Sequence, residues 1–168
     1  MPISYRAYTE EDRDQVKQLL VYLVTSIATK NSLRRKRPSA KFSEHYLNKQ
    51  LLYVKEGKGI VYVAIDSGNV VGCGIGVIKD LNQEDLMEFK DIKKGFVSDL
   101  MVSQNYQKKG VGARLMQCLG KYFESADCKY IETEVLLSNI NAHALYQRLG
   151  YVDNAVSMIC KLDDQANV

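Results

Sequence analysis

Two hydrophobic periods divide the chain, and the switches between them lay out its elements. Ile3-Ser4-Tyr5-Arg6-Ala7-Tyr8 alternates with period two, so a strand is expected there. Thr9 and Asp12 take the capping-box spacing, with Asp in the usual Glu/Gln place. Behind them Val16, Leu19, Leu20, Leu23, Val24 and Ile27 recur at helical spacing and predict an amphipathic helix with one buried face. Ser43 is the expected cap of a second helix that carries Leu47, Leu51 and Val54. Strands follow over residues 60–65 and 70–78, separated by the turn Asp66-Ser67-Gly68-Asn69. A strand over 96–102 leads through a glycine-containing loop into a helix with Leu115, Leu119, Tyr122 and Phe123 on one side. A strand over 130–137, a short helix over 140–149 ended by Gly150, a short strand at 151–152 and a last strand over 157–162 complete the pattern.

The order is β-α-α-β-β-β-α-β-α-β. Strands that meet first in hairpins and later across helices imply an α/β (α+β) fold. Its expected form is a mixed, mostly antiparallel sheet of six to seven strands with helices on both faces. The strand Val71-Gly72-Cys73-Gly74-Ile75-Gly76-Val77 puts apolar side chains on one face and three bare glycines on the other. Glycine weakens a strand, so something large packs closely against that face, and a crossing helix is favoured over a ligand.

Composition narrows the class without changing this picture. Neither repeat nor low-complexity linker interrupts residues 1–168, which read as a single domain. Lys and Arg number 23 against 20 Asp and Glu, a net charge of +3 that by itself gives no argument for nucleic acid. No apolar run approaches the roughly 20 residues that span a bilayer. Met1 to Arg6 lack the layout of a signal peptide, so a cytoplasmic location is expected. Cys73, Cys118, Cys128 and Cys160 form no C-x-x-C pair and have two histidines for company, which gives neither a metal site nor a disulfide framework.

The loop Gln107-Lys108-Lys109-Gly110-Val111-Gly112 carries the first chemical signal. It joins the end of a strand to the start of a helix, where unpaired N–H groups and the helix dipole favour an anion. Gly110 and Gly112 let the backbone come close, and Lys108 and Lys109 add charge. The spacing is neither a Walker loop nor a dinucleotide fingerprint. Alone, it also fits a glycine-rich helix start that binds nothing.

A second motif begins about thirty residues later: Asn139-Ile140-Asn141-Ala142-His143-Ala144-Leu145-Tyr146-Gln147-Arg148-Leu149-Gly150-Tyr151. Taken with the strand Ser98-Asp99-Leu100-Met101-Val102 and the glycine loop, it closely resembles the GCN5-related N-acetyltransferase (GNAT) family. That family reads hydrophobic strand, [RQ]-x-x-G-x-[GA], helix, strand, then N-x-x-A-x-x-L-Y-x-x-x-G-[FY], and every marked position is met. The resemblance is specific over residues 96–152. It implies a sheet splayed between the fourth and fifth strands and acetyl-coenzyme A as co-substrate. The pantetheine would pair with Leu100, Met101 and Val102, the diphosphate would lie on Gln107, Lys108, Lys109, Gly110, Val111 and Gly112, and Asn139 would touch the cofactor arm. No metal is implied.

The resemblance also implies direct attack by an amine, with Tyr146 as the acid that protonates the departing sulfur. A phenol is protonated at neutral pH, whereas an alkyl amine must lose a proton before it attacks. Glu134, five residues before Asn139, matches the base position of some relatives. Glu132, two residues earlier on the same expected strand face, is its rival, Asp99 is a third candidate, and ordered water serves in other relatives. His143 and the cysteines are read as structural. Polarisation of the thioester oxygen is assigned to a backbone N–H near Met101 or Val102.

The acceptor is left open among small amines, polyamines and protein amines. The basic segment over 30–41 (Lys30, Arg34, Arg35, Lys36, Arg37, Lys41) and the acidic segment over 84–91 pull in opposite directions, and each also reads as a solvated surface. The alternative to an enzyme is an acetyl-coenzyme A-binding sensor or interaction module that does no chemistry. A homodimer is common in the family.

Overall fold

The computed structural model describes residues 2–30, 40–79, 87 and 92–160. Strand β1 (Ser4–Ala7) is followed by a 3-10 turn (Glu10–Asp12), then helices α1 (Arg13–Lys30) and α2 (Ala40–Lys55). Strands β2 (Gly59–Asp66), β3 (Asn69–Lys79) and β4 (Lys94–Val102) come next, then α3 (Val111–Ser125), β5 (Tyr130–Thr133) and α4 (Ile140–Arg148). The five strands lie in one sheet in sequence order. The first four pair antiparallel, and β5 joins β4 parallel after the α3 crossover. In the β2–β3 turn both Ser67 and Gly68 have positive φ (49° and 80°), the twist that matches a two-residue hairpin.

The chain enters α1 through the expected box. Thr9 N donates to Asp12 Oδ2 at 2.8 Å, and Arg6 donates to both Asp12 oxygens at 2.7 and 2.9 Å. Those bonds, led by Arg6, hold the Asp12 carboxyl below its ordinary pKa even though burial opposes the shift. A depressed carboxylate stabilises the fold above its unfolded pKa, and that contribution is lost as pH falls through the folded value. Asp12→Asn is therefore expected to cost about 1–2 kcal/mol near neutrality, kept small because Arg6 is half in water. The gap between mutant and wild type should close in acid melts from about pH 5 downward.

Helices α1 and α2 cover one face of the sheet, where Val16, Leu19, Leu20 and Leu47 meet Val61, Val63, Cys73, Ile75 and Met101. Glu44 of α2 accepts from Arg13 and Lys17 of α1, both at 2.9 Å, and ties the two helices together. On the opposite face α3 crosses the bare glycines of β3. A Cβ on Gly72 would stand 3.0 Å from Val111, one on Gly74 3.1 Å from Leu119, and one on Gly76 2.7 Å from Phe123. A packed helix accounts for the glycine stripe.

The structure corrects the sequence reading in four places. Ser43 does not cap α2; that helix is already formed at Ala40, and Ser43 is a buried residue of its first turn. The fifth strand ends at Thr133 instead of 137, so Glu134 lies beyond it and shares no strand face with Glu132. Residues 151–160 carry no strand, which removes the short strand at 151–152 and residues 157–160 of the last expected strand; 161–162 lies outside the described residues. The described sheet thus has five strands, not six to seven. A strand needs an edge as well as a pattern, and the β5 edge is four residues long because the chain turns away to reach α4. Of the two charged segments, residues 31–39, 84–86 and 88–91 lie outside the described residues.

Candidate active site

One irregularity in β4 sets the geometry of the site. Val97 pairs with Gly76 and Asp99 pairs with Ile75, so Ser98 is an extra residue, a bulge. Before the bulge, Gly95 and Val97 face α3, where Phe123 lies against Gly95 and clusters with Val97. A regular strand would leave Asp99 and Met101 on that same side. The inserted residue reverses the phase. Met101 packs with the α1/α2 core, Asp99 reaches α2, and Leu100 and Val102 take the α3 side.

The second determinant is where β5 leaves. The β4–β5 ladder runs from Lys94↔Tyr130 to Val97↔Thr133 and stops, so Ser98 to Val102 have no β5 partner. The sheet splits there, as the family resemblance implied. Thr133 Oγ1 donates to Val97 O at 3.1 Å and closes the apex of the split. Tyr146 of α4 sits at the apex: it packs with Val97, lies in hydrogen-bond contact with Thr133, and is 8% exposed. Burial pushes its phenol pKa up from the ordinary value; the Thr133 bond opposes that, and the charge of Asp99 adds to it. A buried phenol of this kind stays protonated across the neutral range and has a proton to give.

The outer end of the split is the glycine loop. Lys108 (φ 60°) and Gly110 (φ 83°) both take left-handed backbone, which turns the chain into α3 with Gly110 as its N-cap. No acidic side chain occupies the first turn of α3, so its N–H groups and dipole face outward uncompensated. A cleft of about 300 Å³ lies against that turn, lined by Lys108, Gly110, Gly112, Ala113, Leu145, Arg148 and Leu149. Lys109 lies over the Tyr106 ring, 5.5 Å from its centroid, and Gln107 Nε2 donates to Val102 O at 3.2 Å. Val111 is a core residue beneath the loop, 1% exposed.

The two glycines differ in role. A Cβ on Gly110 would meet nothing within 4 Å, so only its backbone conformation requires glycine. A Cβ on Gly112 would point at Leu145 (3.3 Å), Leu100 and Val102 (both 3.6 Å), into the gap between β4 and α4. Arg148 lines the same cleft although the motif does not mark its position; its three-residue offset from Leu145 on one helix face is the signal that places it there.

The expected bases end up in unlike places. Glu132 is ion-paired with Lys94 at 3.0 Å on the rim. Glu134 is exposed, one residue past the end of β5. Asp99 accepts from Tyr46 Oη at 2.7 Å, and its charge acts on both Tyr146 and Cys73. Asn139 is the N-cap residue of α4. His143 pairs with Asp153 at 2.6 Å. None of the four cysteines is in a disulfide among the described residues, and burial pushes Cys73 far up, away from thiolate chemistry. Among the described residues, no group of side chains is arranged to hold a metal ion, and no helix is long and apolar enough to cross a membrane.

Known proteins resemble this chain in sequence and in fold. The Acetyltransferase (GNAT) family matches residues 27–151. This chain belongs to that family. An uncharacterised N-acetyltransferase of Methanocaldococcus jannaschii is 34% identical over 93 residues, 55% of this chain and 52% of that protein. The chain therefore spans about half the length of that GNAT relative. A protein of Bacillus halodurans, solved as a point mutant, superposes with a TM-score of 0.77 at 20% identity, covering 96% of this chain and 99% of that one. The aminoglycoside N-acetyltransferase AAC(6')-Iy, solved with CoA, superposes with a TM-score of 0.73 at 11% identity over 95% of this chain and 94% of its own. At these identities the two structures establish the shared GNAT fold.

Proposed function

We propose that this GNAT protein transfers an acetyl group from acetyl-coenzyme A directly to a primary amine, with Tyr146 as the general acid. The observation that carries this reading is the position of Tyr146. A phenol kept protonated by burial stands at the last β4–β5 rung, with the anion-binding loop at the other end of the same opening.

The residues present fit coenzyme A. The N-terminus of α3, Lys108 and Arg148 face one cleft and supply the charge that a diphosphate needs. Lys109 and Gln107 flank it, and the bare face of Gly112 leaves room beside Leu100 and Val102. The unpaired edge of β4, at Leu100, Met101 and Val102, offers backbone groups to a pantetheine arm, and the Gln107 side chain on Val102 O would give way to it. Asn139, at the start of α4, would meet the same arm. When bound, the thioester supplies the acyl group and a thiolate leaving group.

The remaining steps belong to groups of this chain. Tyr146 gives its proton to the departing sulfur. A backbone N–H near Met101 or Val102 polarises the thioester oxygen. For proton removal from the amine, Glu134 is exposed and accessible, whereas Glu132 is engaged by Lys94. A site of this kind works in a cytoplasmic compartment that supplies acetyl-coenzyme A.

Thiol release measured against a panel of alkyl amines, polyamines and peptide N-termini tests the reading. Release that depends on one amine class is the expected result. Tight cofactor binding with no turnover on any amine would replace the enzyme by an acetyl-coenzyme A-binding module.

A further inference from the structure

The glycine loop offers two adjacent lysines, and its backbone sends them to different places. Lys108 takes a left-handed conformation (φ 60°), unusual for a residue with a β-carbon and kept only where its surroundings fix it. Lys108 lines the cleft of about 300 Å³ at the start of α3, together with Gly110, Gly112 and Arg148. Lys109 instead stands over the Tyr106 ring, 5.5 Å from its centroid, within reach of a cation–π contact. Tyr106 is the last residue of the 3-10 turn Gln104–Tyr106, which joins β4 to the loop.

That turn is tied down on two sides. Ser103 N donates to Val71 O at 2.9 Å, and Tyr106 N donates to Ser103 O at 2.8 Å. Farther out, Tyr106 Oη donates to Asp66 Oδ2 at 2.6 Å. Asp66 is the last residue of β2 and pairs with Asn69 across the hairpin turn. Its other carboxylate oxygen accepts from Ser67 Oγ at 3.1 Å, so the two bonds together set the orientation of the group. The Tyr106 bond first, and then the Ser67 bond, hold the Asp66 carboxyl below its ordinary pKa, and the charge of Lys109 acts in the same direction. Asp66 therefore stays ionised at neutral pH and attracts the phenol and the ammonium at once. A phenol that donates to a carboxylate gains negative charge on its ring, which favours the cation above it. The result is a strut, Asp66–Tyr106–Lys109, from the β2–β3 hairpin to the base of the loop.

We propose that Asp66 and Tyr106 position the phosphate loop for coenzyme A, with Lys109 as part of this strut and Lys108 as the lysine that meets the diphosphate. This rests on the acetyl-transfer reading above and divides the work among the loop's residues. Asp66, Tyr106 and Lys109 are positioning residues, whereas Lys108 touches the cofactor. Backbone N–H groups bind an anion best when they already point at it, because ordering a loop on binding costs conformational entropy. The far end of the loop is fixed by α3, which begins at Val111. The near end follows a three-residue turn, and the strut fixes it there. Asp66 and Tyr106 stand 40 residues apart in the chain, so no local pattern marks the pair.

The test is equilibrium binding of coenzyme A to the full chain by calorimetry, at low and at high salt. Tyr106→Phe keeps the ring under Lys109 and removes only the anchoring hydroxyl, and it should weaken binding by about threefold to tenfold. Asp66→Ala should lose as much, and the double variant no more than either alone, because both break one strut. Asp66→Asn still offers the phenol an oxygen and should recover part of the loss. Lys108→Met and Lys109→Met remove the same charge from neighbouring positions. Lys108→Met should weaken binding about tenfold or more and flatten its salt dependence, as the loss of a direct ion pair does. Lys109→Met should cost no more than Tyr106→Phe and keep the wild-type salt dependence. In turnover, Tyr106→Phe should raise the KM for acetyl-coenzyme A and leave kcat at saturation unchanged, a split that a general loss of fold would not give. Wild-type affinity in both Tyr106→Phe and Asp66→Ala overturns the strut. Equal losses with equal flattening in the two lysine variants overturn the division between them. A wild type that binds no coenzyme A removes the acetyl-transfer reading and this proposal together, whereas a wild type that binds it alongside unaffected variants removes this proposal alone.

Discussion

Tyr146→Phe is expected to lower kcat by about 10²-fold or more while leaving acetyl-coenzyme A affinity unchanged. The substitution removes one oxygen and keeps the ring. The tilted contact with Tyr151, at 5.7 Å between centroids, and the packing on Val97 both survive it. What disappears is the proton at the apex of the split. The loss should be largest for the natural thioester, whose leaving thiol needs that proton, and smaller for an activated ester whose leaving group departs as a stable anion. The pH profile supplies a second readout. Burial raises the Tyr146 pKa, so the acid form persists as pH rises and is lost only above the ordinary phenol value near 10. Wild type should therefore show no basic limb from this group below about pH 10. Single-turnover and steady-state kinetics at saturating co-substrate check the prediction, and a mutant with wild-type kcat would remove Tyr146 from its role.

Gly112→Val is expected to weaken acetyl-coenzyme A binding by roughly tenfold to a hundredfold, the 1–3 kcal/mol typical of forcing methyls into a filled space. The new side chain would project toward Leu145, Leu100 and Val102, into the passage between β4 and α4. Gly110→Ala is the informative contrast. It strains a left-handed residue by about 1–2 kcal/mol but meets no neighbour, so it should lower thermal stability more than it narrows the passage. Calorimetric titration of acetyl-coenzyme A into each variant, with a thermal melt alongside, separates the two effects. Normal affinity in Gly112→Val would mean that the cofactor does not pass this glycine.

The parts of the fold that depend on local pattern are legible in the sequence. Thr9 and Asp12 announce the entry to α1, and the glycines of β3 announce a crossing helix, which is α3. The glycine loop and the Asn139–Tyr151 motif point to the family from residue types and spacing alone. What is not legible depends on partners distant along the chain. The Ser98 bulge has no signature in Lys94–Val102, because an extra residue shows only against the β3 register. Strict alternation would assign Asp99 to the α3 face and hide its bond to Tyr46. The alternation over residues 130–137 predicts a strand through Glu134, yet the strand stops where the sheet splits. Residues 151–152 and 157–160 have strand-like composition but carry no strand, and Val152, Val156 and Met158 stand 86%, 65% and 88% exposed. Arg148 stays hidden because the motif does not mark its position.

The most direct test of the account is to follow the acetyl group itself. After a single turnover with isotopically labelled acetyl-coenzyme A and a primary amine, the label should be found by mass spectrometry on the amine nitrogen, with the protein's mass unchanged. Label on the protein, or label that leaves coenzyme A at the same rate whether or not the amine is present, would contradict direct transfer at Tyr146.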